Sequence, residues 1–389
     1  MHIVVIFINI GSYHAARLRA INSACKHQGW SFTALQVTDN TLEHPWGNLD
    51  QEITFNLKTL LPNRLTSNYL QTASVILPSF LDDLNPDTVV IPGWGFTISR
   101  TALTWCRRHH KQAIVMSETK WNDEPRQWWK EKLKYWLYIR KFDAALVGGK
   151  LHRDYLVKLG FPEDRIFYGY DAVDNDYFIK QSELARQNPV EVRHRQPRIP
   201  NKQYFLVLTR LLKRKNVESL VTAFANYRKQ VPIDTAWDLV ICGSGEEEVN
   251  IRQLINTFNI TDYVHLPGFI PYQALGDWYG LAGALVHPAL IEPWGLVVNE
   301  ACAAGLPIVC SNTVGAASEL VQDGKNGLLF EPRNISDITR ALINISQMDT
   351  EARVKMGELS HNIVANCSPN NFASGIFKAI YYNCKSNQK

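Results

Sequence analysis

Short apolar runs separated by stretches with helical spacing recur along the chain in two successive series, and no other feature restricts the fold as much. The first series reads "IVVIFI" (3–8), "SFTALQV" (31–37), "DTVVIPG" (87–93), "AIVMS" (113–117) and "DAALVG" (143–148). The second reads "YFLVLTR" (204–210), "DLVICG" (238–243), "YVHLPG" (263–268), "ALVHP" (284–288) and "PIVCS" (307–311). Strand-sized runs alternating with helices are the pattern of parallel α/β layers.

Between the series, residues 179–203 are polar, carry prolines at 189, 197 and 200, and show no period. They read as a linker, set at 181–203, between a first domain over 1–180 and a second over 204–365, with a closing segment at 366–389. The 389 residues suit two domains of roughly 100–200 residues each. The expected architecture is α/β, with two Rossmann-like domains facing each other across a cleft. Ligands of such sheets bind at the carboxyl ends of the strands, so the loops leaving them are where chemistry is sought.

Composition removes several function classes. A net charge of +4 from 41 basic and 37 acidic residues does not demand the concentrated basic face that nucleic acid would need, so no nucleic-acid partner is expected. Seven scattered cysteines, never spaced C-x-x-C, read as free thiols of a reducing compartment rather than a metal site. No stretch reaches about 18 apolar residues without charge, and the expected location is cytoplasmic. One segment qualifies that. "RQWWKEKLKYWLYIRK" (126–141) has six basic residues, one acidic and five aromatic rings on a helical pattern. It reads either as a peripheral, interfacial helix drawn to anionic lipid or as an internal helix packing its aromatic face on the sheet.

The densest chemistry lies in "HPALIEPWGLVVNEACAAG" (287–305), where Glu292 and Glu300 stand eight positions apart around the turn Pro293-Trp294-Gly295. "ALVHP" is a strand, and "LVVNEACAA" a helix stopped by Gly305. The helix start at Gly295 and Leu296 aims free N–H groups and a positive dipole end at the ligand side, where a phosphate is stabilised. Glu292 can accept hydrogen bonds from ligand hydroxyls, and Glu300 sits farther along the same ligand. Hydroxyls at both ends and phosphates in the middle describe a nucleotide sugar. On spacing alone, ordinary helix-start and surface charges remain the alternative.

"TRLLKRKN" (209–216) follows the first strand of the second series and offers Arg210 and Lys215 to a diphosphate, one as a planar fork and the other as a point charge. A solvated basic loop is the competing reading. "CGSGEEE" (242–248) is a glycine-bearing turn whose acidic helix start repels phosphate, which assigns Gly243 to the nucleoside side. The D-x-D at 174–176 is not read as a metal site, and no metal is expected.

These segments, with "VHLPGFI" and "GAASELVQDGKNGLLF", resemble the retaining family 4 (group 1) glycosyltransferases of GT-B fold, well over about 204–335 and loosely elsewhere. The resemblance implies a hexosyltransferase using a UDP- or GDP-linked sugar and a hydroxyl acceptor, with no cofactor or metal. It implies that Arg210 and Lys215 hold the donor diphosphate, that Glu292 binds hydroxyls of the sugar and Glu300 the ribose. The N–H groups of Gly295 and Leu296 would meet sugar or phosphate, while Phe269 and Ile270 would lie by the base. It further implies retention of anomeric configuration and a C-terminal helix that crosses back to the first domain. A nucleotide-sugar epimerase and a non-catalytic sugar-nucleotide-binding protein are the competing functions.

The first domain departs from the family pattern. In "NIGSYHAARLRA" (9–20), Gly11 matches a loop glycine that lets backbone approach the donor, and His14 and Arg17 are acceptor-side candidates. His14 reads equally as a helix-start residue. Where many relatives place a His, this chain has Glu118 in "VMSETKWNDEP", a hydroxyl acceptor, a base, or a helix-entry charge. Trp94 in "PGWGF" reads as a stacking platform or as core packing.

Overall fold

The computed structural model describes residues 1–39, 52–62 and 68–386. They form two compact units, Met1–Val173 with Cys367–Lys389, and Asp174–Asn366. The strands of the first are β1 (His2–Phe7), β2 (Ser31–Gln36), β3 (Leu57–Thr59), β4 (Thr88–Pro92), β5 (Gln112–Ser117), β6 (Ala144–Val147) and β7 (Ile166–Tyr168). They lie in the order β3-β2-β1-β4-β5-β6-β7, every recorded pairing parallel. The apolar runs are continuous because these strands are buried on both faces. Val4, Ile6, Val89 and Ile91 pack with Leu77 and Ala102 of the helices Tyr69–Leu84 and Thr97–Arg108. Ile3, Val5, Val90 and Ile114 pack with Leu18 of the helix Ser12–His27 and with Phe372 and Ile376 of the helix Pro369–Ser386.

The second unit holds β8 (Tyr204–Leu208), β9 (Asp238–Cys242), β10 (Val264–Gly268), β11 (Ala284–His287), β12 (Ile308–Ser311) and β13 (Gly327–Phe330), ordered β10-β9-β8-β11-β12-β13 and again parallel. The α/β class is therefore as the alternation indicates. The edge strands β3, β7 and β13 were not expected, since three or four residues carry no period. Parallel order places the loops after β10, β9, β8 and β11 side by side along one edge, each about 4.8 Å from the next.

The linker expectation is corrected. Residues 175–187 and 189–195 are helices, and both belong to the second unit. Asp174 caps it by accepting the Tyr177 N–H at 3.2 Å, which is the work of the D-x-D; Pro189 starts the next helix where a missing N–H costs nothing. The apolar period was hidden because the buried stripe, apart from Phe178, is polar or small, with Asn175, Ser182 and Ala185. It meets Gly276 and Gly280 of the helix Leu275–Leu281 at near-backbone distance. A Cβ added at Gly276 would fall 2.3 Å from the Gln181 Cβ, and one at Gly280 2.6 Å from that of Ala185.

Candidate active site

The loop after β8 is held by its neighbours. Leu211 N–H donates to the Ser244 carbonyl at 2.8 Å, and Glu247 N–H to the Leu211 carbonyl at 3.0 Å. Gly243, at φ +134°, makes this approach possible, for a Cβ there would sit 1.8 Å from the Thr209 carbonyl oxygen. Gly243 thus has a packing role that its nucleoside-side assignment did not foresee. A single 3₁₀ turn, Lys213–Lys215, ends at Asn216 in the left-handed region (φ +60°), whose amide donates to the Pro288 and Pro332 carbonyls at 3.1 and 2.8 Å. These bonds deliver Lys215 to the loop after β11.

There Lys215 Nζ donates to Glu292 Oε2, and His287 Nε2 approaches the same oxygen at 3.2 Å. The Lys215 and Glu292 side chains are 10% and 12% exposed, so the pair is largely shielded from water. Burial works to raise the Glu292 carboxyl, but the hydrogen bond and charge of His287, followed by Lys215, outweigh it and hold the group at about 2. Burial depresses the Lys215 ammonium, Glu292 only partly restores it, and Arg214 and Arg210 add to the depression. Lys215 is therefore engaged by Glu292 rather than standing free, whereas Arg210 is exposed. His287 was missed by sequence reasoning because it ends a strand, and only the turn that follows bends Glu292 back to it.

Gly295 starts the helix Leu296–Ala303 at φ +100°, with no side-chain cap and no acidic residue in the first turn. Its amino end is left open to an anion. A Cβ on Gly295 would lie 3.2 Å from the Glu292 Cγ and the Val314 Cγ1, so the glycine also makes room for Glu292. Gly315, not singled out in the sequence, braces the turn: its N–H donates to the Glu292 carbonyl at 3.1 Å, and a Cβ there would come 1.8 Å from the Pro293 carbonyl oxygen. Trp294 is corrected. It is 1% exposed and its indole N–H donates to Asn299 at 2.8 Å, so its side chain anchors the turn from below instead of facing a ligand.

Glu300 is 6% exposed and accepts the Tyr279 hydroxyl at 2.7 Å. Burial pushes its carboxyl up to about 7, against the lowering effect of that bond. Two carboxyls on one loop and helix are thus set apart, Glu292 ionised throughout the neutral range and Glu300 near its midpoint. At the end of the edge strand β10, Phe269 is 52% exposed and Ile270 partly buried.

In the first unit, one expectation is corrected, that for Arg17, and two others fall on their packing or capping alternatives. The Gly11 N–H donates to His14 Nδ1 at 3.0 Å, and its φ of −111° is ordinary. His14 thus takes the helix-start role that the sequence left as an alternative. Arg17 is 2% exposed, donates through Nε to the Ala172 carbonyl at 2.7 Å, and lies over the rings of Tyr170 and Phe372. It is a core residue of this unit, not an acceptor contact. Trp94 is half-buried and stacks on Tyr155 at 6.3 Å, the packing alternative. Glu118 is exposed at the carboxyl end of β5, and its charge reaches Asp171. Burial and then Glu118 raise the Asp171 carboxyl well above the usual range against the pull of Arg17. Asp171 had no signal in the sequence beyond its place in "YGYDAVD".

Among the described residues no group of three or more His, Cys, Asp or Glu side chains is placed to hold a metal ion, and no helix is long and apolar enough to cross a membrane. Cys25, Cys106, Cys242, Cys302, Cys310 and Cys367 carry free thiols.

Residues 190–362 match the family model described as glycosyl transferases, group 1. A GDP-mannose-dependent α-(1-6)-phosphatidylinositol monomannoside mannosyltransferase of Mycobacterium tuberculosis is 31% identical over 203 residues, 50% of each chain. An uncharacterized glycosyltransferase of Haemophilus influenzae is 26% identical over 339 residues, 86% of this chain and 87% of that one. Among solved structures, Anabaena HepE in complex with UDP and glucose superposes with a TM-score of 0.74 at 15% identity, covering 98% of this chain and 100% of its own. The chain spans about half the length of the mycobacterial relative it matches.

Proposed function

We propose, from a chain whose residues 190–362 belong to the group 1 glycosyl transferases and whose two α/β units have the GT-B fold, that it moves a hexose-type sugar from a UDP- or GDP-linked donor to a hydroxyl acceptor. The observation that carries this reading is the buried Lys215–Glu292–His287 cluster beside the uncapped helix start at Gly295. Breaking a sugar–phosphate bond leaves negative charge on the diphosphate and positive charge on the sugar. Lys215 and the N–H groups of Gly295 and Leu296, held in place before reaction, are donors for the first, and exposed Arg210 adds its charge. Glu292, anionic down to about pH 2, accepts the sugar hydroxyls and favours the positive charge beside it.

Along the strand edge, exposed Phe269 after β10 offers a face to the base, Arg210 after β8 a cation to the diphosphate, and Glu292 after β11 an acceptor to the sugar. Glu300 takes the ribose in this arrangement. Transfer proceeds with retention and without a metal, the fixed cations serving in its place. The reading is tested by a thermal-shift screen of nucleotide sugars followed by product analysis. A ligand at 100 times its Kd stabilises by about 2.7 kcal/mol, and sugar should then move only when a hydroxyl acceptor is supplied. Conversion of donor alone into an isomer would instead identify an epimerase, and binding without any conversion a non-catalytic protein.

A further inference from the structure

The helix Trp128–Leu137 turns its three tryptophans outward, which excludes for them the reading in which the aromatic face packs on the sheet. Trp128 is 72% exposed, Trp129 52%, Leu133 50%, Trp136 58% and Leu137 44%. Facing the unit are the Tyr135 ring, which packs on its core, and one carboxylate. Glu131 is 3% exposed and accepts from the Tyr155 hydroxyl at 2.5 Å, from Lys134 at 2.8 Å and from Arg126 at 3.4 Å. The orientation is therefore fixed by the one acidic residue of the segment, and turning the helix over would strip a buried carboxylate of its partners.

At 100° per residue, Trp136, Trp129, Leu133 and Leu137 fill one arc of roughly 100°, bordered by Lys132 on one side and Lys130 on the other. Lys130 Nζ lies 5.3 Å from the Trp129 ring and the Arg140 guanidinium 4.5 Å from that of Trp136, so the cations stand at the rim of the aromatic strip. Lys141 follows. With Glu131 turned inward, the outward face carries positive charge only. A helix of ten residues, about 15 Å long, lies on a membrane and does not cross it. An aromatic strip edged by lysines suits the boundary where rings sit among headgroups and ammonium groups reach anionic phosphates. A protein partner would more usually call for lysine to be depleted.

We propose that this face docks the protein on an anionic lipid surface, with Trp129, Leu133 and Trp136 at headgroup depth and Lys130, Lys132, Arg140 and Lys141 on the lipid phosphates. The docking stands apart from the transfer reaction and can fail without it.

The test is sedimentation of the full chain with vesicles of phosphatidylcholine alone and of phosphatidylcholine with phosphatidylglycerol. Binding is expected to the anionic vesicles only, weakening with added salt. Trp129→Ala with Trp136→Ala should lower the partition coefficient at least about tenfold. Lys130→Gln and Lys132→Gln should each lower it about fivefold. All four side chains point away from the core, so melting temperatures should stay unchanged. Quenching of wild-type tryptophan fluorescence by brominated lipid gives a readout free of any substitution. No binding of the wild type, equal binding by folded variants, or self-association that the tryptophan variant abolishes would overturn the proposal, the last by assigning the face to a second copy.

Discussion

The Tyr279 hydroxyl donates to Glu300 at 2.7 Å, and both side chains are buried. Burial raises the Glu300 carboxyl from 4.5 to about 7, so the folded protein binds a proton there that the unfolded chain releases. The stabilisation is complete below about pH 4.5 and is lost as pH rises through 7. Its span of about 2.5 units corresponds to an upper limit near 3 kcal/mol. Glu300→Gln keeps an acceptor for Tyr279 but has no proton to bind. Denaturant unfolding from pH 5 to 8 should show the wild type losing stability relative to the variant, and parallel curves would refute the assignment.

Arg210→Ala and Lys215→Ala should each slow turnover by ~10²–10³, the usual cost of one preorganised charge. Their stabilities should part company. Arg210 is exposed, and its removal should stay within about 0.5 kcal/mol. Loss of Lys215 leaves Glu292 buried with only His287, at a cost of about 3 kcal/mol. Equal melting of the two variants would count against the buried pair.

Activity should survive exhaustive EDTA treatment, because the cations proposed for the diphosphate are side chains. Loss of activity restored only by Mg²⁺ or Mn²⁺ would refute this.

Glu118→Gln should slow transfer to the acceptor more than it weakens donor binding, by about 10² if its charge takes part. It should also lower the Asp171 carboxyl, since a neighbouring negative charge is removed. Donor affinity and single-turnover rate measured on the same variant separate the two effects. An unchanged transfer rate would make Glu118 a surface charge.

Much of the second unit was legible because its strands are apolar runs and its chemistry sits in loops directly after them. Lys215 and Glu292 were found in that way. Their mutual contact was not, nor was His287, because each depends on a turn geometry set by Asn216, Gly295 and Gly315. The first unit was read less well. Arg17 near a glycine looked like a ligand contact, yet the aromatic rings that enclose it come from Tyr170 and Phe372, far along the chain. Periodicity found the helix around residues 128–137 but not its orientation, which Glu131 decides.

The close approach of the helix Asn175–Gln187 to Gly276 and Gly280 decides where this polypeptide can be cut. A fragment beginning at Tyr204 would leave both glycines bare along a groove that solvent must fill, and should be prone to stick to itself. One beginning at Asp174 is thirty residues longer, keeps its own cap and its groove filled, and can be expected to stand alone.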